Sequence, residues 1–313
     1  MSSRRGLARG AALAATALFA GCGFGPGSSS KGTATLTVTR DYGARVMVDA
    51  TDSDPSESDT VIRLLDRSAE ITTRYGGGFV QSIDGLSGSV SDGRRSDWFF
   101  YVNGVESPVG AADVRVRGGD RIWWDFRDWT GAMSVPAVVG SWPEPFARAS
   151  SGGDHGSVEL ECAGGGAACR TAAHALRGTG ARLTVDRREA DADPEAPRVV
   201  VGRWARVRDA AAVDGLRGGP AANGVFATFK GPVNGAYRLI ALDSTPSPVR
   251  DLGPEAGLVA ALRRGGGPVT WIVTGSGEPA VRRAAGLLNE RALRNRYAVA
   301  ALPGGRSVAL PLR

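Results

Sequence analysis

The chain has 313 residues, 42% apolar and 22% charged, with a formal net charge of +6. Residues 1–21 hold Arg4, Arg5 and Arg9 and no acid, so their removal leaves +3 (6 − 3). Near-neutral charge with Arg and Asp interspersed argues against a nucleic-acid partner, and about 290 remaining residues exceed one typical core and suggest two domains.

The first 21 residues read as an export signal. The three arginines form a charged start, and Ala11 to Ala20 form an apolar stretch too short to span a bilayer. Leu18-Phe19-Ala20-Gly21-Cys22 resembles a bacterial lipobox, which implies that Cys22 is lipidated and becomes the first residue. An ordinary secretory signal with an incidental Cys is the other reading. Residues 22–32 have the Gly/Ser composition of a flexible tether. The expected location is the outer face of a cell membrane, held by a lipid anchor.

Residues 33–146 read as one unit. Strands are expected at 33–39 and 44–50, followed by the acidic loop TDSDPSESD. A helix is expected over 59–74, since Val61, Leu64, Leu65 and Ile71 recur at helical spacing and Ser58 or Asp59 can cap it. Gly76-Gly77-Gly78 ends that helix, and strands follow near 79–83, 97–102, 113–116 and 121–127. Eight of the chain's 21 aromatic residues fall between Asp97 and Trp129. The run WFFYVNG alternates Trp98, Phe100 and Val102 with Phe99 and Tyr101, then meets Asn103-Gly104, a strong hairpin signal. In GDRIWWDFRDW, Ile122, Trp124 and Phe126 share one face, and Trp123, Asp125, Arg127 and Trp129 share the other. Residues 133–146 read as an extended strap that returns Trp142 and Phe146 to this sheet, with prolines barring regular structure.

Four pieces in this order carry a resemblance: DTVIRLLDRSA (59–69), FVQSIDGLSG (79–88), DWFFYVNGVE (97–106) and VRVRGGDRIWWDF (114–126). From about Thr33 to Asp128 the chain resembles the C-terminal domain of the transcobalamin and intrinsic-factor family and its uncharacterised bacterial members. The resemblance implies a β-grasp-like domain, which in the animal carriers closes over cobalamin against a helical barrel. No helical-barrel sequence accompanies it in these 313 residues.

Residues 147–156 read as a linker, and 157–313 as an α/β domain with a mixed sheet. Strands are expected at 157–161, 181–186, 198–204, 224–229, 237–243, 269–273, 297–301 and 307–311. Helices are expected at 168–177, 207–216, 255–264 and 279–293. The fold class is therefore α+β: a β-grasp-like domain followed by an α/β domain.

Catalytic chemistry has little material here. Any Ser-His or Cys-His system needs His155 or His174, and no nucleophile-elbow, zincin or P-loop motif occurs. Gly275-Ser276-Gly277-Glu278-Pro279-Ala280 is read as a plain strand-to-helix turn, because no acid ends the next strand as a dinucleotide fold requires. Asp49, Asp52, Asp54, Glu57 and Asp59 lack the EF-hand register and read as a solvated loop. Cys162 and Cys169, separated by AGGGAA, are expected to form a disulfide; the gaps among His155, Cys162, Cys169 and His174 do not suit zinc. No catalytic residue, metal or cofactor is expected.

Trp98, Phe100, Trp124 and Phe126 are assigned to the core. Tyr101, Trp123, Trp129 and Trp142 are divided evenly between packing under the strap and lining a groove, with Asp125 and Arg127 beside them. The leading expectation is a non-enzymatic, membrane-tethered module that captures a small organic ligand for a transporter in the membrane. By the resemblance, a corrinoid is the most specific candidate. The alternative is an envelope protein-interaction or structural lipoprotein with no small-molecule ligand.

Overall fold

The computed structural model describes residues 31–147, 156–164, 166–186 and 193–313. The export signal, Cys22, most of the tether, His155 and the interior of the linker lie outside the described residues.

The N-terminal half opens with the hairpin β1 (Thr33–Arg40) and β2 (Arg45–Ser53) and the short helix α1 (Val61–Asp66). A small sheet follows, made of β3 (Ile71–Arg74), β4 (Phe79–Ile83) and β5 (Leu86–Ser87). Then come β6 (Ser89–Ser91), β7 (Arg94–Val102), β8 (Val105–Glu106) and β9 (Arg121–Asp128). The main sheet runs β2-β1-β9-β7-β6, with β8 beside β7. In it β9 returns parallel to β1 and antiparallel to β7. Hairpin, helix and a returning parallel strand give the β-grasp order. The predicted helix 59–74 stops at Asp66, because the β-branched run Ile71-Thr72-Thr73 continues as β3. Thr60, rather than Ser58 or Asp59, stands at its N-cap. Residues 113–116 form only a bridge, Arg115 opposite Thr60.

The second half has a seven-stranded mixed sheet. Its members are β10 (Ser157–Ala163), β11 (Arg182–Val185), β12 (Arg198–Arg203), β16 (Gly257–Arg263), β17 (Val269–Gly275), β18 (Ala298–Ala301) and β19 (Ser307–Leu310). The order is β11-β10-β12-β17-β16-β18-β19, parallel from β11 to β17 and antiparallel beyond. Helices α2 (Gly166–Arg177) and α5 (Glu278–Ala285) cover one face, burying Ala172, Leu176, Val281 and Ala284 against Leu160, Val201 and Val273. The other face meets α3 (Trp204–Val207) and, after the short helix α4 (Pro220–Asn223), a three-stranded sheet of β13 (Ala227–Val233), β14 (Ala236–Leu242) and β15 (Pro248–Gly253). The predicted helix 279–293 divides into α5 and α6 (Glu290–Leu293), and 207–216 holds no continuous helix.

The largest departure is 255–264, which is the central strand β16 rather than a helix. Every residue from Gly257 to Leu262 is buried, because both faces of the sheet are covered. A fully buried strand shows an unbroken apolar run, which periodicity cannot tell from a buried helix.

Candidate functional site

Strands β7 and β9 pair directly, so their alternation sorts the aromatic residues onto two faces. Trp98, Phe100, Ile122, Trp124 and Phe126 face α1 and β4, as expected for core residues. Phe100 stacks on Trp124 at 4.7 Å between ring centroids, and Trp98 donates its indole N–H to the Leu86 carbonyl at 2.8 Å. Asn103 and Gly104 both take positive φ (54° and 81°), as the expected tight turn into β8 requires.

The other face is covered by the second half of the chain. Of the two roles left open for them, Tyr101 and Trp123 take packing: Trp123 is 3% exposed, with Tyr101 and Asp125 at 0% and Arg127 at 1%. Tyr101, Trp123 and Tyr42 pack against Tyr297, Phe226, Ile240 and Leu242, placing β14 and the start of β18 over the sheet. Trp142 is also buried, but on β17: it and Phe146 contact Trp271 at centroid distances of 5.8 and 4.9 Å. The strap thus lies on both sheets: Ala137 bridges to Val105 beside β7 and Val135 and Val138 pack with Tyr101 and Trp123, while Trp142 and Phe146 reach the second sheet instead of the first. Trp129 is half-buried, with Arg95 lying 5.2 Å from its ring. An alternating pattern reports which residues share a face and nothing about what covers that face.

The covered face has its own chemistry. Asp125 Oδ1 accepts from Thr39 Oγ1 (2.6 Å) and the Gly43 amide (3.0 Å), and Oδ2 accepts from the Tyr297 hydroxyl (2.9 Å). Thr39 in turn accepts from Trp123 Nε1 at 2.7 Å. Burial pushes the Asp125 carboxyl up to about 6, against the pull of those hydrogen bonds and of Arg127. Burial likewise raises the Tyr297 phenol well above its ordinary value. Arg127 donates to the carbonyls of Ala132 (2.7 Å) and Met133 (3.0 Å) and lies 3.7 Å from the Phe99 ring centroid. Asp125, Thr39, Trp123 and Tyr297 are bonded to one another, and the Tyr297–Asp125 bond is a polar tie between the two halves; Arg127 Nε, also buried, has no hydrogen-bond partner among the described residues.

An open cleft lies at the edge of the core-facing aromatics. It measures about 640 Å³ and is lined by Phe79, Trp98, Phe100, Val109, Trp124 and Met133, among others. Arg263, at the end of β16, and Gly265, from the turn that joins β16 to β17, reach it from the second half. Phe79, Val109 and Met133 are 44%, 52% and 70% exposed, an unusual grouping of bare apolar side chains at one mouth. Trp124 Nε1 is buried and has no hydrogen-bond partner among the described residues, although its ring lines the cleft. None of the six residues expected at a binding site, Tyr101, Trp123, Asp125, Arg127, Trp129 and Trp142, lines this cleft. It uses the rings assigned to the core, and the bare residues at 79, 109 and 133 are scattered in sequence, so only the aromatic density signalled it.

Residues 58–128 match the model of a domain of unknown function, DUF4430. They form a DUF4430 domain. The matched segment is less than a quarter of the chain and contains most of the cleft lining, from Gly78 to Trp124. A comparison with curated proteins gave no match. The DUF4430 segment starts after β1 and β2, yet β1 lies between β2 and β9 in the sheet, so the folded unit extends N-terminally beyond the match.

Cys162 and Cys169 are joined by a disulfide, as expected, which ties the end of β10 to the first turn of α2. In the acidic loop, Asp52 and Asp59 pair with Arg67 at 2.5 and 2.8 Å, and Asp49 pairs with Arg294 at 2.5 Å. Among the described residues, no cluster of His, Cys, Asp and Glu is arranged to hold a metal ion. His174 is exposed on α2. Gly275 packs so closely on α5 that an added Cβ would lie 2.6 Å from that of Ala280, consistent with a packing turn.

Proposed function

We propose that the protein is a non-enzymatic binding module, tethered through Cys22 to the outer face of a cell membrane, that captures a small organic ligand for a membrane uptake system. The observation that carries this reading is the open, aromatic-floored cleft of the DUF4430 domain, whose size suits one small ligand. The stacked Phe100–Trp124 pair supplies a flat apolar floor. The resemblance of residues 33–128 to the transcobalamin C-terminal domain makes a corrinoid the most specific candidate. The interdomain seam takes no part in binding in this reading, because Trp123, Asp125 and Tyr101 are occupied by their own partners.

The test uses residues 23–313, which include every described residue, titrated with cobalamin, with dicyanocobinamide and with the neutral dye N-phenyl-1-naphthylamine. Saturable one-to-one binding of any of the three, weakened at least fivefold by Phe79→Ser with Met133→Ser, is the expected result. Both side chains are substantially exposed, so the double variant should melt within a few degrees of wild type. Absence of saturable binding for all three would remove the cleft as a ligand site. A second reading, docking of another envelope protein, is favoured by Tyr75, which is 86% exposed beside Phe79 and extends the bare apolar surface beyond the cleft.

A further inference from the structure

We infer that the ligand of the cleft is an amphipathic organic anion, its apolar body on the Phe100–Trp124 floor and its anionic group at Arg263; this rests on the cleft being the binding site. The cleft has two charged residues in its lining, Glu106 and Arg263. Glu106 is already committed: its carboxylate accepts from the Ser134 hydroxyl and from the Val135 amide at 3.0 Å, and Arg127 stands 3.5 Å away. Its charge is thus offset by a buried guanidinium.

Arg263 is different. It is half-buried at the end of β16 and has no acidic partner within ion-pair distance among the described residues. Its hydrogen bonds go to neutral acceptors, from Nε to the Gly267 carbonyl (2.8 Å) and from one terminal nitrogen to the Gly266 carbonyl (3.1 Å). These bonds hold the guanidinium in place while leaving its charge unneutralised, which is how a fixed anion site is prepared. The side chain also lines two neighbouring clefts of about 330 and 530 Å³, so the charge sits where three openings meet. An anionic end placed there stays solvated on one side while the apolar body is withdrawn from water. The second half of the chain thereby supplies the charge and the DUF4430 domain supplies the apolar surface.

The experiment compares two dyes of similar apolar body on residues 23–313: anilinonaphthalene sulfonate, which is anionic, and N-phenyl-1-naphthylamine, which is neutral. Arg263→Gln should weaken the sulfonate about tenfold, the effect of one charge-assisted contact, and leave the neutral dye within twofold. Arg263→Lys should restore most of the sulfonate affinity, and raising salt should weaken the sulfonate alone. If both dyes bind saturably and Arg263→Gln changes them equally or not at all, the anionic specificity is overturned while the cleft stands. If neither dye binds, the inference falls together with the site on which it rests.

Discussion

Asp125 is the residue at which burial and charge meet most sharply. It lies between two halves of the chain, wholly excluded from solvent, with its pKa raised from 3.8 to about 6 in the folded state. A carboxyl raised on folding binds its proton more tightly in the native state, so its ionisation weakens the fold. Below about pH 4 the folded and unfolded chains are both protonated at this group and it contributes no difference. Between about pH 4 and 6 stability should fall as pH rises, and above 6 the loss is complete. Asn at this position keeps an oxygen for Thr39 and Gly43 and places an amide donor against the Tyr297 hydroxyl, which can accept. Asp125→Asn should therefore flatten the pH dependence between 4 and 6 and match or exceed wild-type stability at pH 7. Urea denaturation at several pH values measures both; an Asn variant that keeps the full wild-type slope would exclude Asp125 as its source.

At the scale of elements, the sequence is informative wherever one face of an element is solvated or a turn demands special backbone. The Asn103-Gly104 turn, the alternation in β7 and β9, and the disulfide that closes the β10–α2 loop follow from local chemistry. Elements buried on both sides lose the periodic signal. Strand β16 is the example, since a Leu/Val/Ala run with Pro254 before it and Gly265 after it satisfies the rules for a helix equally well. The cleft was illegible for a related reason: Phe79, Val109 and Met133 come from three separate segments, and only the folded chain brings them to one mouth. Gly257 separates the two readings of β16 experimentally. In a helix, Gly257→Ala would stabilise by up to about 1 kcal/mol. In the strand, the added Cβ would lie 2.3 Å from the Ala280 carbonyl oxygen of α5, so the substitution should instead destabilise by roughly 1–3 kcal/mol. The sign of the change in a denaturation midpoint decides between them.

At the scale of the whole molecule, the two halves share a core. Tyr42, Tyr101 and Trp123 from the first half meet Phe226, Ile240, Leu242 and Tyr297 from the second, and each aromatic side chain of this size buries about 150–250 Å². At about 25 cal/mol per Å², a few such side chains are worth a substantial fraction of the stability of an ordinary domain. Polar ties reinforce the contact at its edges. Arg294 pairs with Asp49 at 2.5 Å, Arg121 pairs with Glu290 at 2.9 Å, and the Asn295 amide donates to the Gly140 carbonyl at 3.2 Å. Close approach makes the fit specific, since a Cβ on Gly43 would lie 2.0 Å from the Asn295 carbonyl oxygen and one on Gly140 would lie 2.7 Å from the Arg296 backbone nitrogen. The seam leaves the cleft built from both halves, with Arg263 fixed relative to the Phe100–Trp124 floor. Residues 31–313 should accordingly unfold in one cooperative transition reported identically by tryptophan fluorescence and far-ultraviolet dichroism. Residues 31–147 alone would expose Tyr101, Trp123 and the Asp125 carboxyl, and should be markedly less stable, with a red-shifted emission or self-association. A fragment as stable as the intact chain, or two separated transitions in the intact chain, would show that the halves are energetically independent and that the seam contributes little.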